Sequence, residues 1–123
     1  MCSSDLAAPG LVAIASLAGT RPGLLRAAAI NAGYVDDHDS LQQTAEQVDR
    51  PLDAGGLGDM EAAFLLEGLA RGQAALRQPA AFTTIERAWT AVHNGQRRGE
   101  FSSLRSVQLI RTQLKATWRL ASR

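Results

Sequence analysis

Apolar residues recur every three or four positions through most of the chain, which is the spacing of amphipathic helices. The strongest such segment is DMEAAFLLEGLARGQAALRQ, at about 59–78, and two further segments follow at about 83–94 and 102–121. Weaker segments at about 22–32 and 40–49 precede it. We therefore predict an all-α fold, a compact bundle of about five to six short-to-medium helices.

Capping signals mark the expected starts of two of these helices. Asp39 or Ser40 can accept hydrogen bonds from the first turn of the second predicted helix. Thr83 followed by Glu86 has the spacing of a capping box and predicts a helix start at Thr83.

Helix breakers mark the expected ends. Pro51 disfavours helical geometry at the residue before it, so the second helix is expected to stop near Asp49. Asn94-Gly95 is expected to end the helix that starts at Thr83. The segment 50–58, RPLDAGGLG, contains three glycines and is expected to be a flexible loop.

The segment 59–78 is apolar on more than one side. One side carries Ala62, Leu65, Leu66, Leu69, Gln73 and Leu76. A second side carries Met60, Phe64 and Ala75, which we call the association strip. This helix is therefore either buried on two sides or offers the strip to a partner. Glu67 and Arg71 are spaced for an i,i+4 ion pair on what is expected to be its polar side.

The beginning of the chain divides into two short pieces before a single helical domain expected over 22–123. Residues 1–6, MCSSDL, match the translation of the end of a sequencing adapter, GTGTGCTCTTCCGATCT, read from GTG, and we expect them to be non-native. They contain the only cysteine. Residues 7–21 include the apolar stretch 11–19, either a core element or a signal-peptide remnant. It is too short to span a bilayer, and a cytoplasmic location is expected.

Composition adds a helical bias and a hint of origin. The hydrophobic fraction of 46% is carried mainly by Ala and Leu, with three Phe, two Trp and one Tyr, and this favours helix over strand. Twelve of the 13 basic residues are arginines, which suggests a GC-rich bacterial gene, of a kind found in metagenomic sequence.

Charge is unevenly distributed along the chain. Residues 1–69 have a net charge of −7 and residues 70–123 a net charge of +8. The last predicted helix has a basic stripe beside an apolar stripe of Val107, Ile110, Leu114, Trp118 and Ala121. The candidate face for an anionic partner comprises Arg97, Arg98, Arg105, Arg111, Lys115, Trp118, Arg119 and Arg123.

Three anions could neutralise that basic face. The first is the protein's own acidic half, including Asp36, Asp37, Asp39, Glu46 and Asp49. The second is nucleic-acid phosphate, with Trp118 available to stack on a base. The third is an anionic membrane surface, which basic amphipathic helices with a tryptophan bind.

Motifs for chemistry are weak. VDDHDS contains four metal-ligand residue types, but adjacent residues cannot all point at one ion, and a capped helix start is the favoured interpretation. DAGGLGD resembles a phosphate cradle but lacks the lysine and hydroxyl of a P-loop. We expect no enzyme activity, catalytic residue, metal, cofactor or small-molecule ligand.

The sequence thus predicts a small helical interaction or assembly protein, or the helical C-terminal part of a longer one. A protein partner or self-association is the first expectation. The alternatives are a nucleic-acid-binding regulator that uses its last helix, and a secreted or membrane-surface protein.

Overall fold

The predicted helix with apolar residues on several sides occupies the centre of the molecule. In the computed structural model, which describes residues 21–53, 55, 57–99 and 104–123, every residue from 62 to 70 is buried. A helix that is apolar all round must be covered all round, and the other helices provide that cover.

The all-α fold is confirmed, with five helices and no strand in the described residues. They are α1 (Arg21–Tyr34), α2 (His38–Asp53), α3 (Asp59–Ala75), α4 (Ala80–Arg98) and α5 (Leu104–Ala121). Central α3 packs against each of the other four, while α1 packs on α2 and α4 on α5. The molecule is therefore two helix pairs, α1–α2 and α4–α5, arranged around α3.

Helix α2 continues through the proline that was expected to stop it. It ends at Asp53, not near Asp49, and includes Pro51. Proline this close to the end removes only one helical hydrogen bond, and the last turn is held because Leu52 packs against the core. The expected loop 50–58 is therefore helical at its start.

Helix α4 is longer than predicted at both ends. It begins at Ala80, directly after Pro79, so Thr83 lies inside the helix and does not cap it. It passes through Gly95, which is buried, and ends at Arg98, where Gly99 adopts a left-handed conformation with φ 69°. Ala81 near one end and Gly95 near the other are both buried. Their packing explains why the helix extends beyond the capping box at Thr83 and the Asn94-Gly95 stop signal.

Helix α3 ends three residues earlier than predicted. The amide of Gln78 donates to the carbonyl of Gln73, and that of Arg77 donates to Ala74, which is the Schellman arrangement. Arg77 takes the left-handed position with φ 58°. This turn, together with Pro79, separates α3 from α4.

Glycines allow α1 to approach α3 closely. A Cβ atom added to Gly72 would lie 2.3 Å from the carbonyl oxygen of Ala29, and one added to Gly33 would lie 2.9 Å from the Cα of Gly72. The backbones of the two helices are thus nearly in contact. Gly33 lies near the end of α1 and packs against Gly72 and Ala75 of α3.

Several sequence predictions lie outside the described residues. They concern the helix boundary at 102, the segments 1–6 and 11–19, and most of 7–21. Among the helices that are described, none is long and apolar enough to cross a membrane.

Candidate anionic-partner interface

Helix α5 has the buried stripe that its sequence predicts. Val107, Ile110 and Leu114 are buried against α3 and α4, and Trp118 and Ala121 lie at the edge of this buried side. Because these positions fix the rotation of the helix, its other side faces solvent.

The solvent side of α5 carries four exposed cations, Arg105, Arg111, Lys115 and Arg119, and a fifth, the exposed Arg123, follows two residues after the helix ends. Among the described residues, none of these five forms an ion pair with a carboxylate. Arg111 donates to the side-chain oxygen of Gln96 on α4 at 3.4 Å, and that neutral partner leaves its charge uncompensated. The sequence contains no acidic residue from 101 to 123.

Two further members of the predicted face lie on α4 and have partners. Arg97 donates to the side-chain oxygen of Asn94 at 2.7 Å and keeps an uncompensated charge. Arg98 lies 3.0 Å from the carboxylate of Asp59, so part of its charge is neutralised within the molecule. Arg97 therefore extends the basic face of α5 better than Arg98 does.

Trp118 lies at the border of the basic face and is 47% exposed. Its ring meets that of Phe82 on α4 edge to face, with centroids 4.9 Å apart and an interplanar angle of 77°. Such a contact holds the indole in a defined orientation while leaving much of it accessible.

The acidic half of the protein does not neutralise the cations of α5 in the described structure. Asp49 pairs with Arg87 at 3.2 Å, Asp59 pairs with Arg98, and Glu67 pairs with two arginines inside the protein. The internal-pairing alternative thus holds for other arginines but not for the cations of α5.

The remaining acids belong to a different region. Asp36, Asp39 and Glu46 are exposed on the α1–α2 connection and on α2. Helix α2 packs on α1 and α3, whereas α5 packs on α3 and α4. These three acids therefore lie on a different helix pair from the cations of α5.

Asp37 has a structural role at the start of α2. Its carboxylate accepts hydrogen bonds from the backbone amide of Ser40 at 3.0 Å and from the Ser40 hydroxyl at 2.7 Å. These two hydrogen bonds hold the pKa of Asp37 below its usual value of 3.8, and the bond from the Ser40 amide has the larger effect. The cap is thus Asp37, and neither Asp39 nor Ser40 supplies it.

No group of three metal-ligating side chains is assembled in the described part of the chain. Ahead of α3, the amide of Gly58 faces a carboxylate, because Glu61 Oε1 accepts from it at 3.4 Å. The negative charge of this carboxylate would repel a phosphate at this helix end.

The association strip is not a surface of this structure. Phe64 is 0% exposed and belongs to the core, and Met60 is partly buried against it. Ala75 alone is exposed, where it lines a shallow apolar groove with Ile30, Tyr34 and Leu120. The interpretation that the helix is buried on two sides is the correct one, because α1 and α2 cover one part of α3 and α4 and α5 another.

A buried charge network that the sequence did not reveal fixes α5 against the rest. Glu67 is 0% exposed, and its two carboxylate oxygens accept from Arg26 at 2.6 Å and from Arg71 at 2.8 Å. The Thr117 hydroxyl of α5 donates to Glu67 at 3.2 Å, and Arg26 donates to Gln113 at 3.4 Å. The Glu67–Arg71 pair was predicted, but on a solvated side.

This network sets the orientation of the basic face. Hydrogen bonds to charged groups contribute about 1.5–3 kcal/mol, so those of Thr117 and Gln113 favour the rotation of α5 that points both side chains inward. With these two side chains pointing inward, the cations of α5 must point outward.

Comparison with known proteins adds no functional assignment. The chain matches no protein-family model, no curated protein and no solved structure. Function must therefore be argued from the surface chemistry itself.

Proposed function

We propose that this protein works by association and that the exposed basic face of α5 is the surface that binds its partner, which is anionic. The observation that carries the proposal is that four cations on the solvent side of α5, and Arg123 just after it, have no carboxylate partner in the described structure. The proposed activity is binding, not catalysis, and the proposed location is the cytoplasm.

The spacing of the cations supports the proposal energetically. Arg111, Lys115, Arg119 and Arg123 follow each other at four-residue intervals, about 6 Å along the helix axis. Like charges at this spacing destabilise a helix by a few tenths of a kcal/mol per pair, and a bound anion removes that repulsion.

The helix dipole explains only part of this pattern. Cations stabilise the last turn of a helix, which accounts for Arg119. Arg105 lies in the first turn of α5, where the same dipole disfavours positive charge, and Arg111 lies near the middle, where the dipole has little effect. Arg105 and Arg111 are therefore the stronger indication of a role in binding.

The placement of the acids also supports an anionic partner. A negative half in the same small domain weakens the field of a basic patch when the two are mixed. Here Asp36, Asp39 and Glu46 are exposed on the α1–α2 pair, whereas α5 itself carries no acidic residue. A partner that approaches α5 therefore meets a local positive field.

The test is retention on a heparin column, which offers a generic polyanion. We expect the double variant R111E/R119E to elute at lower salt than the wild-type chain. The matched control is R50E/R77E, which makes the same change in net charge at two exposed arginines on other elements. Equal elution of the two variants would overturn the proposal.

Folding of R111E/R119E is the second readout. Because neither arginine has an acidic partner in the described structure, circular dichroism should show a melting temperature close to that of R50E/R77E. Selective unfolding of R111E/R119E would show that these arginines are paired internally, and this contradicts the proposal.

A further inference from the structure

Resting on the proposed function, we propose that the anionic partner is single-stranded nucleic acid, with Trp118 as the platform on which one base stacks. Trp118 combines an exposed aromatic surface with immediate neighbours that are cations. Proteins that bind single strands combine a positively charged track for the backbone with aromatic rings for the bases.

The position of Trp118 within the basic face suits this role. At 100° per residue, it lies about 20° around the helix from Arg111 and about 60° from Lys115. Arg111 is two turns away along the axis, and Lys115 is one turn away. A strand whose phosphates follow these cations brings a base over the indole.

The contact with Phe82 prepares the ring for stacking. An exposed tryptophan normally loses side-chain freedom when it binds, and that loss opposes binding. The edge-to-face contact at 4.9 Å already restricts Trp118 in the free protein. Part of the ordering cost is therefore met before the strand arrives.

A membrane fits this helix less well. Interfacial helices insert their apolar side between lipids. The centre of that side in α5 is Val107, Ile110 and Leu114, all of which are buried in the core. Most of the apolar side is therefore closed to lipid unless α5 leaves the bundle.

A duplex also fits less well than a single strand. Bases in a duplex are stacked on one another, so an aromatic ring gains little unless a base is unpaired. The structure therefore offers phosphate contacts and stacking instead of groove readout.

The experiment uses tryptophan fluorescence of the full chain carrying Trp89→Phe, so that Trp118 is the only indole. We expect oligo(dT) of about 12 nucleotides, within the usual range of site sizes, to quench this emission on binding. A plot of the logarithm of the association constant against the logarithm of the salt concentration should have a slope of about −2, the value expected when three cations contact phosphates of a single strand.

The decisive variant is Trp118→Ala, measured by fluorescence anisotropy of labelled oligo(dT). We expect its affinity for oligo(dT) to fall about tenfold, while its elution from heparin stays near that of the wild type. Trp118→Phe, which keeps a ring, should restore part of the affinity. A melting curve for each variant checks that it is folded.

The outcomes separate this inference from the proposed function. If heparin and oligo(dT) bind but neither Trp118 variant changes either affinity, the single-strand assignment is wrong and the anionic-partner proposal stands. The same conclusion follows if a duplex, anionic phosphatidylserine vesicles or a second copy of the chain, detected by light scattering, is bound in preference. If no polyanion is retained, both are wrong.

Discussion

At the scale of single residues, two helix ends place a non-glycine residue in the left-handed region. Asp36 has φ 56° and Arg77 has φ 58°. For most L residues this conformation costs about 1–2 kcal/mol, and glycine avoids that cost. Neither position could be found from sequence, since the usual signal, a glycine after the helix, is missing from both.

Replacing Arg77 by glycine is therefore expected to stabilise the protein. We expect Arg77→Gly to raise the free energy of unfolding in urea by about 0.5–1 kcal/mol, after the greater flexibility of glycine in the unfolded chain is subtracted. The converse control is Gly99→Ala, which should lose about 1 kcal/mol. Its added Cβ meets nothing within 4 Å, so only backbone strain is tested. A loss of stability in Arg77→Gly would contradict the left-handed assignment.

Asp37 gives the protein a residue-scale dependence on pH. Its pKa is lowered in the folded state by the bonds from Ser40, so the folded protein favours the charged carboxylate. That contribution is fully present above the usual value of 3.8 and is lost as the pH falls through the lower folded value.

We expect Asp37→Asn to be less stable than the wild type at pH 7 and to lose less of its stability between pH 5 and about pH 2. Urea unfolding across this range measures the difference. Asp39→Asn is the matched control, since it removes a charge from the same turn and leaves the cap in place. Parallel curves for Asp37→Asn and the wild type would show that the charge of Asp37 contributes nothing to stability.

At the scale of helices, the contact between α1 and α3 depends on glycine because the two backbones nearly touch. Alanine at position 72 would gain up to about 1 kcal/mol in helix propensity. Its Cβ, however, would lie 2.3 Å from a backbone oxygen and 3.0 Å from a backbone carbon of Ala29. The helices must separate to admit it.

We expect Gly72→Ala to lower the free energy of unfolding by about 1–3 kcal/mol, because overpacking outweighs propensity. Gly72→Val should lose more, since a larger side chain requires a larger separation. Urea denaturation at neutral pH measures both. If Gly72→Ala were as stable as the wild type, α1 and α3 could not approach as closely as the structure shows.

Helix boundaries show how packing overrides local signals. Pro51 and Gly95 both lie inside helices that they were expected to end. At Pro51, the helix loses one hydrogen bond near its end, and the partial burial of the next residue, Leu52, outweighs that loss. At Gly95, the residue itself is buried, and its packing outweighs a helix propensity about 1 kcal/mol poorer than that of alanine.

At the scale of the whole molecule, net charge differs between the helix pairs. The net charges of −7 for residues 1–69 and +8 for residues 70–123 predicted this difference, but not which side chains pair. The halves attract in principle, yet the pairs that form use Arg26, Arg71, Arg87 and Arg98. The cations of α5 remain outside because its buried stripe turns them to solvent.

The sequence by itself determined the features that depend on neighbours a few residues apart. Helical class, the buried stripe of Val107, Ile110 and Leu114, and the Glu67–Arg71 pair all follow from a period of 3.6 residues, and all are confirmed.

Only the tertiary structure decided which side of α3 is covered and which charges meet. Phe64 was predicted to lie on a surface for a partner, but it is fully buried. The sequence of a helix that is apolar on several sides does not indicate which side faces solvent. Arg26 and Glu67 are 41 residues apart, and Thr117 and Glu67 are 50 apart. Contacts at such separations depend on how helices pack, which local periodicity does not encode.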